Sequence, residues 1–443
     1  MRVSRRRFLE MSTSAASVGS VGSVGSVGLL ASTLSAAEGS GVGRSQSLPA
    51  PRIVLPTDAL GPPEGRPRRI AAITTTYHKY SHADDIITKF IEGYGVVGRI
   101  HNPHCRVVRL YVEQFHENDI GRGMAARYGV PLVKRPGEAL VGKDGLLDVD
   151  GVLLIGEHGD YPSNNKGQKL YPRRRLFEEI VKVFRHSKRS VPVFNDKHLS
   201  FSWKNAEWMY RQSRELKFPM MAGSSVPVTW RQPPLAFRQG VQLESAVVVG
   251  GGSFESYGFH CLEFLQTFVE KRAGGEVGVR AVQAIEGPAA VAAAQAGKWP
   301  VELVATSIAA APKNRRRPFS MDRLKRAIVF RVEYSDGFVA AVCTGPTGLT
   351  SEFTFAAKVR GREKPVGTCA VLPKPQRDHF SFLCNHIEVM FRSEKPSYPV
   401  ERTLLTTGVL DALHDSRAAG GKRIETPHLA KLAYTPAVEL SSG

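Results

Sequence analysis

The stretch that decides the fold is Val149–Ile155, which reads VDGVLLI. It is an almost continuous apolar run of strand length, and such a run is typical of a strand that is buried on both faces of a parallel sheet. Short strand-like and helix-like segments alternate on both sides of it, from residue 70 to residue 222. This alternation predicts a Rossmann-like, doubly wound α/β sheet with right-handed crossovers.

The pattern changes after Ser224. Helices are predicted at Phe259–Arg272 and, as a closing pair, at Phe380–Phe391 and Val400–Ser416. The segments with strand character between them are Val277–Ile285, Val301–Ala309, Ala327–Tyr334, Phe338–Thr344 and Phe353–Val359. We therefore predict a Rossmann-like nucleotide-binding domain over residues 69–224, followed over residues 225–443 by an α+β substrate or oligomerisation domain with a mostly antiparallel sheet.

The first residues resemble an export signal. Ser4–Leu9 reads SRRRFL, which matches the twin-arginine signal almost letter for letter. A glycine-rich, weakly apolar segment follows, and Ser35-Ala36-Ala37 offers small residues for cleavage before Glu38. We expect a signal peptide at residues 1–37, a flexible leader at 38–68, recognition by the twin-arginine export machinery, and a destination in the periplasm or cell envelope.

The amino-acid composition limits the classes of partner that the protein is expected to bind. The formal charge is +19, from 60 basic and 41 acidic residues, which suits anionic partners such as uronic or phosphorylated compounds. There is no nucleic-acid-binding motif, and we interpret the runs Arg173–Arg175 and Arg315–Arg317 as solvated surface. No segment after the signal reaches about 18 uninterrupted apolar residues, so no stable membrane span is expected. The five cysteines lack CxxC spacing, which indicates neither a disulfide framework nor a zinc site.

Several strings, taken in order, resemble the Gfo/Idh/MocA oxidoreductases. The resemblance runs from about Arg69 to Pro427. It rests on segments similar to family motifs: AARYGVP at 125–131, DGVLLI at 150–155, VFNDKHL at 193–199, GGGS at 250–253 leading to GFH at 258–260, and GGK at 420–422. The family uses NAD or NADP to oxidise or reduce sugars and polyols, so the resemblance implies such a cofactor and a carbohydrate-like substrate. The family often assembles through its sheet face, which makes a homo-oligomer an expectation by analogy.

The resemblance also implies the catalytic residues. Lys197 matches the family lysine that lies near the nicotinamide and the reacting oxygen, where a cation lowers the pKa of a hydroxyl; by itself it would read as an exposed loop lysine. His260 matches the family's catalytic histidine, which exchanges protons near neutral pH; a core or capping histidine is the alternative. Asp196 stands where the family has Glu, and Ser256 stands where it has Asp. Serine cannot act as a carboxylate base, and Glu255 is rotated about 100° away on a helix.

The turn after the first strand departs most from the family. It reads ITTTYHKYSHADD at residues 73–85, and alignment puts Thr74, Thr76 and Lys79 at the three glycine positions of the phosphate loop. Hydroxyls, a lysine and a helix N-terminus can still bind an anion, although not in the standard dinucleotide pose. Glu113 ends the second strand and is the candidate for binding the ribose.

The remaining candidates are histidine-rich. Glu157–Tyr161 (EHGDY) follows the fourth strand at the sheet edge where open α/β sheets bind ligands, and it contributes His158. The candidates for holding the cofactor are thus Thr74, Thr76, Lys79, Glu113, His158 and Asp196. His78 and His82 would be neighbours on a helix, and residues 101–105 hold two histidines and a cysteine. Neither is a recognised metal pattern, so we assign no metal site.

Three functions remain open. The first is an exported oxidoreductase that uses NAD or NADP in an altered pose on a sugar or polyol-like substrate. The second is a non-redox descendant that binds a carbohydrate or an anionic glycan in the old crevice. The third is cofactor-independent lyase or hydrolase chemistry at His260 and Lys197. The departures at Thr74, Thr76, Lys79 and Ser256 favour the second function, while Lys197, His260 and an export signal used by folded proteins favour the first.

Overall fold

Six parallel strands form the first sheet, in the order β5-β4-β1-β6-β7-β8. The structure, a computed structural model, describes residues 55–96, 98–312, 319–347, 349–374 and 377–437. In chain order the elements of the first half are β1 (Arg68–Thr74), α1 (His82–Glu92), β2 (Tyr94–Val96), β3 (Arg99–His101), β4 (Cys105–Val112), α2 (Gly121–Tyr128), β5 (Leu132–Val133), β6 (Gly151–Ile155), α3 (Arg173–Ser187), β7 (Val193–Asp196), α4 (Trp203–Glu215) and β8 (Met220–Gly223). Strands β2 and β3 form a small hairpin outside the sheet.

The second sheet has eight strands in the order β16-β11-β12-β13-β10-β14-β15-β9. All its pairings are antiparallel except that of β10 with β13. Its elements are β9 (Arg231–Gln232), β10 (Leu243–Val249), α5 (Ser256–Val269), β11 (Val279–Glu286), α6 (Pro288–Gln295), α7 (Leu303–Ala309), β12 (Ile328–Tyr334), β13 (Val339–Thr344), β14 (Thr354–Val359), β15 (Val366–Ala370), α8 (Asp378–Ser393), α9 (Val400–Ala418) and β16 (Ile424–Glu425).

The first sheet is buried on both faces, as its apolar strands require. Successive residues of β1 alternate between two hydrophobic cores. Ile70 and Ala72 pack into one core with α1 and α8, and Ala71 and Ile73 pack into the other with α3 and α4. Helix α8 therefore covers the first sheet although it lies late in the chain. The alternation fixes the register of β1, because a slip by one residue would exchange the two sets of side chains.

Both faces of the second sheet are also covered. Ala246 and Val248 of β10 pack with α5 and α9, whereas Val247 and Val249 pack with α6 and α7. The segment between β11 and β12 supplies α6 and α7, and it buries Leu303, Val304 and Ile308 against this second face. This second face is thus packed with the chain's own helices.

The predicted fold class is confirmed, with one wrong element. Val301–Ala309 was expected to be a strand, but Leu303–Ala309 is helix α7. Its buried residues are Leu303, Val304, Ser307 and Ile308, which share one helix face, whereas a strand would bury alternate residues. The β-branched residues gave the segment a false strand character. In the second half, strands β9, β10, β15 and β16 and helix α6 were missed, although β10 lies near the centre of the second sheet.

The predicted signal peptide, most of the leader, and Arg315–Arg317 lie outside the described residues. Among the residues that the structure does describe, no helix combines the length and apolar character needed to cross a membrane. The five cysteines are all buried and none of them forms a disulfide.

Candidate active site

Polar side chains gather at the carboxyl edge of the first sheet, which is where open α/β sheets have their ligand crevice. The turns after β1, β6, β7 and β8 bring Thr76, Glu157, Lys197 and Ser224 to this edge. Helix α5 of the second half adds His260, whose ring centroid lies 6.4 Å from that of His82 on α1. The two predicted catalytic residues, Lys197 and His260, therefore reach the same crevice from different halves of the chain.

Lys197 is held from several directions. Only 2% of the residue is exposed, and its backbone has a φ of 66°, in the left-handed region that is rare for a residue with a Cβ. Its backbone N–H donates to the Gly223 carbonyl at 3.0 Å. The side-chain Nζ donates to Ser256 Oγ at 3.0 Å and lies 3.5 Å from Glu157 Oε1. The ammonium thus connects the first sheet to the start of α5.

His260 follows Ser256 by one turn of α5. Its Nδ1 lies 2.6 Å from the hydroxyl of Ser224, in the turn after β8. Burial, reinforced by the positive charge of Lys197, lowers the pKa of His260 well below its usual value. The imidazole is therefore neutral at neutral pH and can accept a proton.

The sequence did not show that two charged residues are central to the crevice. Glu157 was named only as a member of a candidate segment, and Arg173 was interpreted as solvated surface. That interpretation is wrong, because Arg173 is 0% exposed and its Nη2 donates to Glu157 Oε2. Burial alone would raise the pKa of Glu157, but Lys197 and Arg173 hold it well below its usual value. A run of arginines gives no sign that its first member faces inward.

Imidazoles line the side of the crevice nearest β1. His82 Nδ1 lies 2.7 Å from Asp196 Oδ2, so this predicted cofactor residue is engaged by a side chain of α1. The ring centroid of His158 lies 5.4 Å from those of both His78 and His82. Burial lowers the pKa of His158 to about 4, which makes its ring neutral near pH 7. Its Nε2 is buried without a hydrogen-bond partner.

The threonines of the phosphate turn serve mainly to build the turn. Thr74 Oγ1 donates to the carbonyls of Thr76 and Ile155, and Thr75 Oγ1 donates to the carbonyl of Glu157. Thr76 differs, because its Oγ1 is buried without a partner in the described structure. Of the threonine hydroxyls predicted to hold a cofactor, only that of Thr76 is left available.

The start of α1 is closed by its own side chains. Ser81 is the N-cap, and its Oγ accepts the backbone N–H of Asp84 at 3.3 Å. Asp84 and Asp85 are buried carboxylates in the first turn, where the positive end of the helix dipole favours negative charge. Lys79 points away to the surface, where its Nζ lies 3.1 Å from Asp84 Oδ2. The helix begins at His82, so His78 is not its neighbour along a helix face.

Glu113, the candidate for the ribose, is also engaged. Its Oε1 accepts the hydroxyl of Tyr161 at 2.7 Å, and its Oε2 forms an ion pair with Arg175. The neighbouring Gln114 exchanges hydrogen bonds with the backbone of Asp160, at 2.8 Å and 3.2 Å. The segment after β6 thus contacts the segment after β4, on the far side of β1 in the sheet. Both carboxylate oxygens of Glu113 are therefore already engaged by side chains of this chain.

These residues do not fit a nicotinamide dinucleotide in the standard Rossmann pose. That pose requires a close backbone approach at the second glycine position, an open helix N-terminus and a free acid after the second strand. The chain instead has Thr76, a start of α1 that is capped by Ser81 and carries the buried carboxylates of Asp84 and Asp85, and a Glu113 bound to Tyr161. The sequence predicted the first departure, whereas the closure of α1 and the pairing of Glu113 became visible only in the structure.

The remaining candidates are placed as follows. Glu255 lies at the start of α5, its Oε2 accepts the backbone N–H of Lys169 at 2.8 Å, and its Oε1 lies 3.7 Å from His198 Nε2. Its carboxylate therefore enters the site even though helix geometry turns it away from the position of Ser256. His101 Nε2 pairs with Glu388 at 2.6 Å. In the described part of the chain, no three His, Cys, Asp or Glu side chains are arranged to hold a metal ion.

Three solved structures that are similar to this chain are dehydrogenases. GenD2 from gentamicin A biosynthesis, in complex with NAD, superposes with a TM-score of 0.51 at 13% identity, over 82% of this chain and 99% of its own. A myo-inositol dehydrogenase from Corynebacterium glutamicum superposes with a TM-score of 0.48 at 12% identity, over 81% of this chain and 98% of its own. The WlbA dehydrogenase from Bordetella pertussis, in complex with NADH and UDP-GlcNAcA, superposes with a TM-score of 0.47 at 15% identity, over 82% of this chain and 99% of its own. No protein-family model matches the chain, and no curated protein matches it.

The chain has the fold of the Gfo/Idh/MocA dehydrogenases. The likeness to GenD2 covers the parallel sheet and the second, mostly antiparallel sheet together. At 13% identity it establishes architecture alone. What the crevice does is therefore argued from its own residues.

Proposed function

We propose that this protein is an oxidoreductase that acts on a sugar or polyol-like compound in the crevice. The observation that carries the proposal is the convergence of Lys197 and α5: the ammonium lies 3.0 Å from Ser256 Oγ, and His260 follows one turn later. An ammonium beside a substrate hydroxyl stabilises the alkoxide that develops as its proton leaves. A neutral imidazole on the same side takes up that proton. Lys197 is thus assigned to charge stabilisation and His260 to proton exchange.

The fold supports the redox part of the proposal, since GenD2 was solved with NAD. A nicotinamide dinucleotide, when bound, would supply the hydride acceptor. Because the turn after β1 does not fit the standard pose, the proposal requires NAD or NADP in another pose, and no step is derived through it. Thr76, after β1, and His158, after β6, each have a buried polar atom without a partner in the described structure, and we assign the contacts with such a group to them.

The test is to isolate the protein from cytoplasm with export blocked and to search the denatured supernatant for nicotinamide by absorbance and mass spectrometry. Retained NAD(H) or NADP(H), or a binding signal on titration, is expected. Turnover of sugars and polyols should then fall by at least about a hundredfold in Lys197→Met, since transition-state charge stabilisation is worth that much. Lys204→Met, on the exposed side of α4, is the matched control and should keep full turnover. Absence of both retained and titrated nicotinamide would refute the oxidoreductase proposal.

A second candidate is a non-redox protein that binds a carbohydrate or an anionic glycan in the same crevice. The specific observation in its favour is the engagement of Glu113 by Tyr161 and Arg175 together with the closed start of α1. Under this candidate, saccharides raise the melting temperature while no nicotinamide binds. A protein that shows no thermal shift with neutral or acidic saccharides does not have this function.

We further propose that the twin-arginine machinery exports the folded chain to the periplasm or cell envelope. Support comes from the SRRRFL string at Ser4–Leu9 and the small residues before Glu38. Insertion of a cofactor in the cytoplasm would be consistent with this route.

A further inference from the structure

Three charged side chains form a continuous buried cluster in the crevice. Arg173, Glu157 and Lys197 are exposed by 0%, 5% and 2%, respectively. Glu157 lies between the two cations, since its Oε2 pairs with Arg173 Nη2 and its Oε1 lies 3.5 Å from Lys197 Nζ. Buried charges of this kind strongly constrain what else can enter, because water screens them little.

Arg173 fixes the direction in which Glu157 points. Its Nη1 lies 3.2 Å from His198 Nε2, and because a guanidinium can only donate, that nitrogen of His198 must accept. A Cβ added to Gly156 would lie 2.6 Å from Arg173 Cγ, so the backbone beside Glu157 packs directly on the arginine stem. With Oε2 bound to Arg173, the other carboxylate oxygen remains directed to Lys197.

Two other carboxylates lie at the crevice, and Oε1 of Glu255 has no hydrogen-bond partner among the described residues. Asp196 is paired with His82 at 2.7 Å. Glu255 accepts a backbone N–H and lies 3.7 Å from His198. The histidines bring little positive charge, because burial lowers the pKa of His158, His198 and His260. The strongly basic character of the whole chain, +19 in formal charge, does not extend to this crevice.

We infer that Glu157 is the specificity-determining residue of the crevice: its carboxylate, held by Arg173, occupies one side of the Lys197 ammonium and excludes the carboxylate or phosphate of an anionic ligand. The inference rests on the proposed function only in taking the crevice as the ligand site. A neutral hydroxyl can still approach Lys197, since it brings no charge against Glu157. An anionic group would meet Glu157 at a few ångströms, where like charges repel strongly.

The test uses small anions as probes, so it needs no identified substrate. Inorganic phosphate and acetate are titrated against the full chain while the melting temperature is followed. The wild type should show no specific shift. Glu157→Gln should gain a saturable rise of several degrees with at least tenfold tighter apparent binding, and the gain should disappear in Glu157→Gln combined with Lys197→Met. Glu401→Gln, which removes the carboxylate that pairs with Arg214 elsewhere, makes the same change in total charge and should gain nothing.

A second variant keeps the test valid if the protein with Glu157→Gln alone does not fold. Arg173→Met with Glu157→Gln removes the buried ion pair as a unit, a replacement that proteins often tolerate, and it leaves Lys197 unopposed, so it too should bind phosphate. Equal phosphate binding by the wild type and Glu157→Gln, or no gain in either variant, would overturn the role of Glu157. Failure of the proposed function has a different signature: the anion results stand, but no nicotinamide binds and no sugar is turned over.

Discussion

At the scale of single residues, burial determines which groups of the crevice carry a charge. Four histidines there or beside it, His158, His198, His260 and His379, have their pKa lowered by burial. Burial therefore favours the neutral form of each of these rings in the resting protein. The charged groups among them are stable because they are paired, as Glu157 is with Arg173 and Lys197.

The first prediction concerns acid stability. The pKa of His158 is lowered from 6.5 to about 4 in the folded protein. The contribution of His158 to the free energy of unfolding is therefore fully present above pH 6.5. It is lost as the pH falls toward 4, because the ring takes up a proton in the unfolded chain before it does so in the folded protein. Urea unfolding measures the free energy of unfolding at each pH. Between pH 7 and pH 4.5 we expect this free energy to fall by about 2 kcal/mol less in His158→Asn than in the wild type. An unchanged pH dependence in this variant would show that His158 is not held neutral by burial.

The candidate site was only partly predictable at this scale. Lys197 and His260 were found because their flanking strings resemble family motifs. Arg173 was not found, since the string RRR at 173–175 does not show which arginine faces inward. The engagement of Glu113 was equally hidden, because Tyr161 and Arg175 are 48 and 62 residues away in sequence. Contacts between distant segments are fixed by packing, and a local pattern carries no record of them.

At the scale of elements, the turn after β6 depends on tight packing between strand and helix. Gly156 ends the strand beneath the stem of Arg173, the first residue of α3. We predict that Gly156→Ala destabilises the fold by about 2 kcal/mol, because the added methyl overpacks a buried side chain that cannot move away. Denaturant unfolding checks this value. Gly123→Ala is the matched control, since nothing lies within 4 Å of a Cβ at that glycine of α2, and it should be neutral or stabilising.

Elements were predicted well where periodicity was clear and poorly where composition misled. The VDGVLLI run gave β6, and the alternating elements around it gave the first sheet in full. Val301–Ala309 failed because valine, threonine and isoleucine favour strands by composition, while burial in α7 follows helix spacing. The local sequence also could not show that α8 crosses back to cover the first sheet.

At the scale of the whole molecule, the second sheet has no apolar face left over in the described residues. Helices α6 and α7 bury one face and α5 and α9 bury the other. The homo-oligomer expected by analogy stays a prediction.

We predict that Ile308→Asp lowers the free energy of unfolding by about 4 kcal/mol, because it buries a charge in the core beneath α7. Sedimentation and dilution-dependent melting should show that this loss does not vary with protein concentration. If the variant instead changed the oligomeric state while each chain stayed folded, the face beneath α7 would be an interface between copies. Glu302→Asp, at the N-cap of α7, should leave both quantities unchanged.

Export can be tested on the intact chain. Replacing Arg5 and Arg6 by lysine should leave the protein in the cytoplasm, because the twin-arginine receptor reads the paired guanidinium groups. Fractionation followed by immunodetection measures the distribution. Replacing Arg2 by lysine, outside the SRRRFL string, should keep export intact. Unimpaired export of the Arg5/Arg6 variant would argue for another route.

The left-handed backbone at Lys197 costs stability at the residue that supplies the ammonium. Its φ of 66° is comfortable only for glycine, and a residue with a Cβ held there carries strain of about 1 kcal/mol. Lys197→Gly should therefore melt at a higher temperature than Lys197→Ala, although both lack the amine. This difference measures the cost of the backbone strain alone. Both variants should melt below the wild type, because each leaves the buried carboxylate of Glu157 with one cation fewer. The strain at Lys197 is therefore tolerated because the ammonium stabilises Glu157.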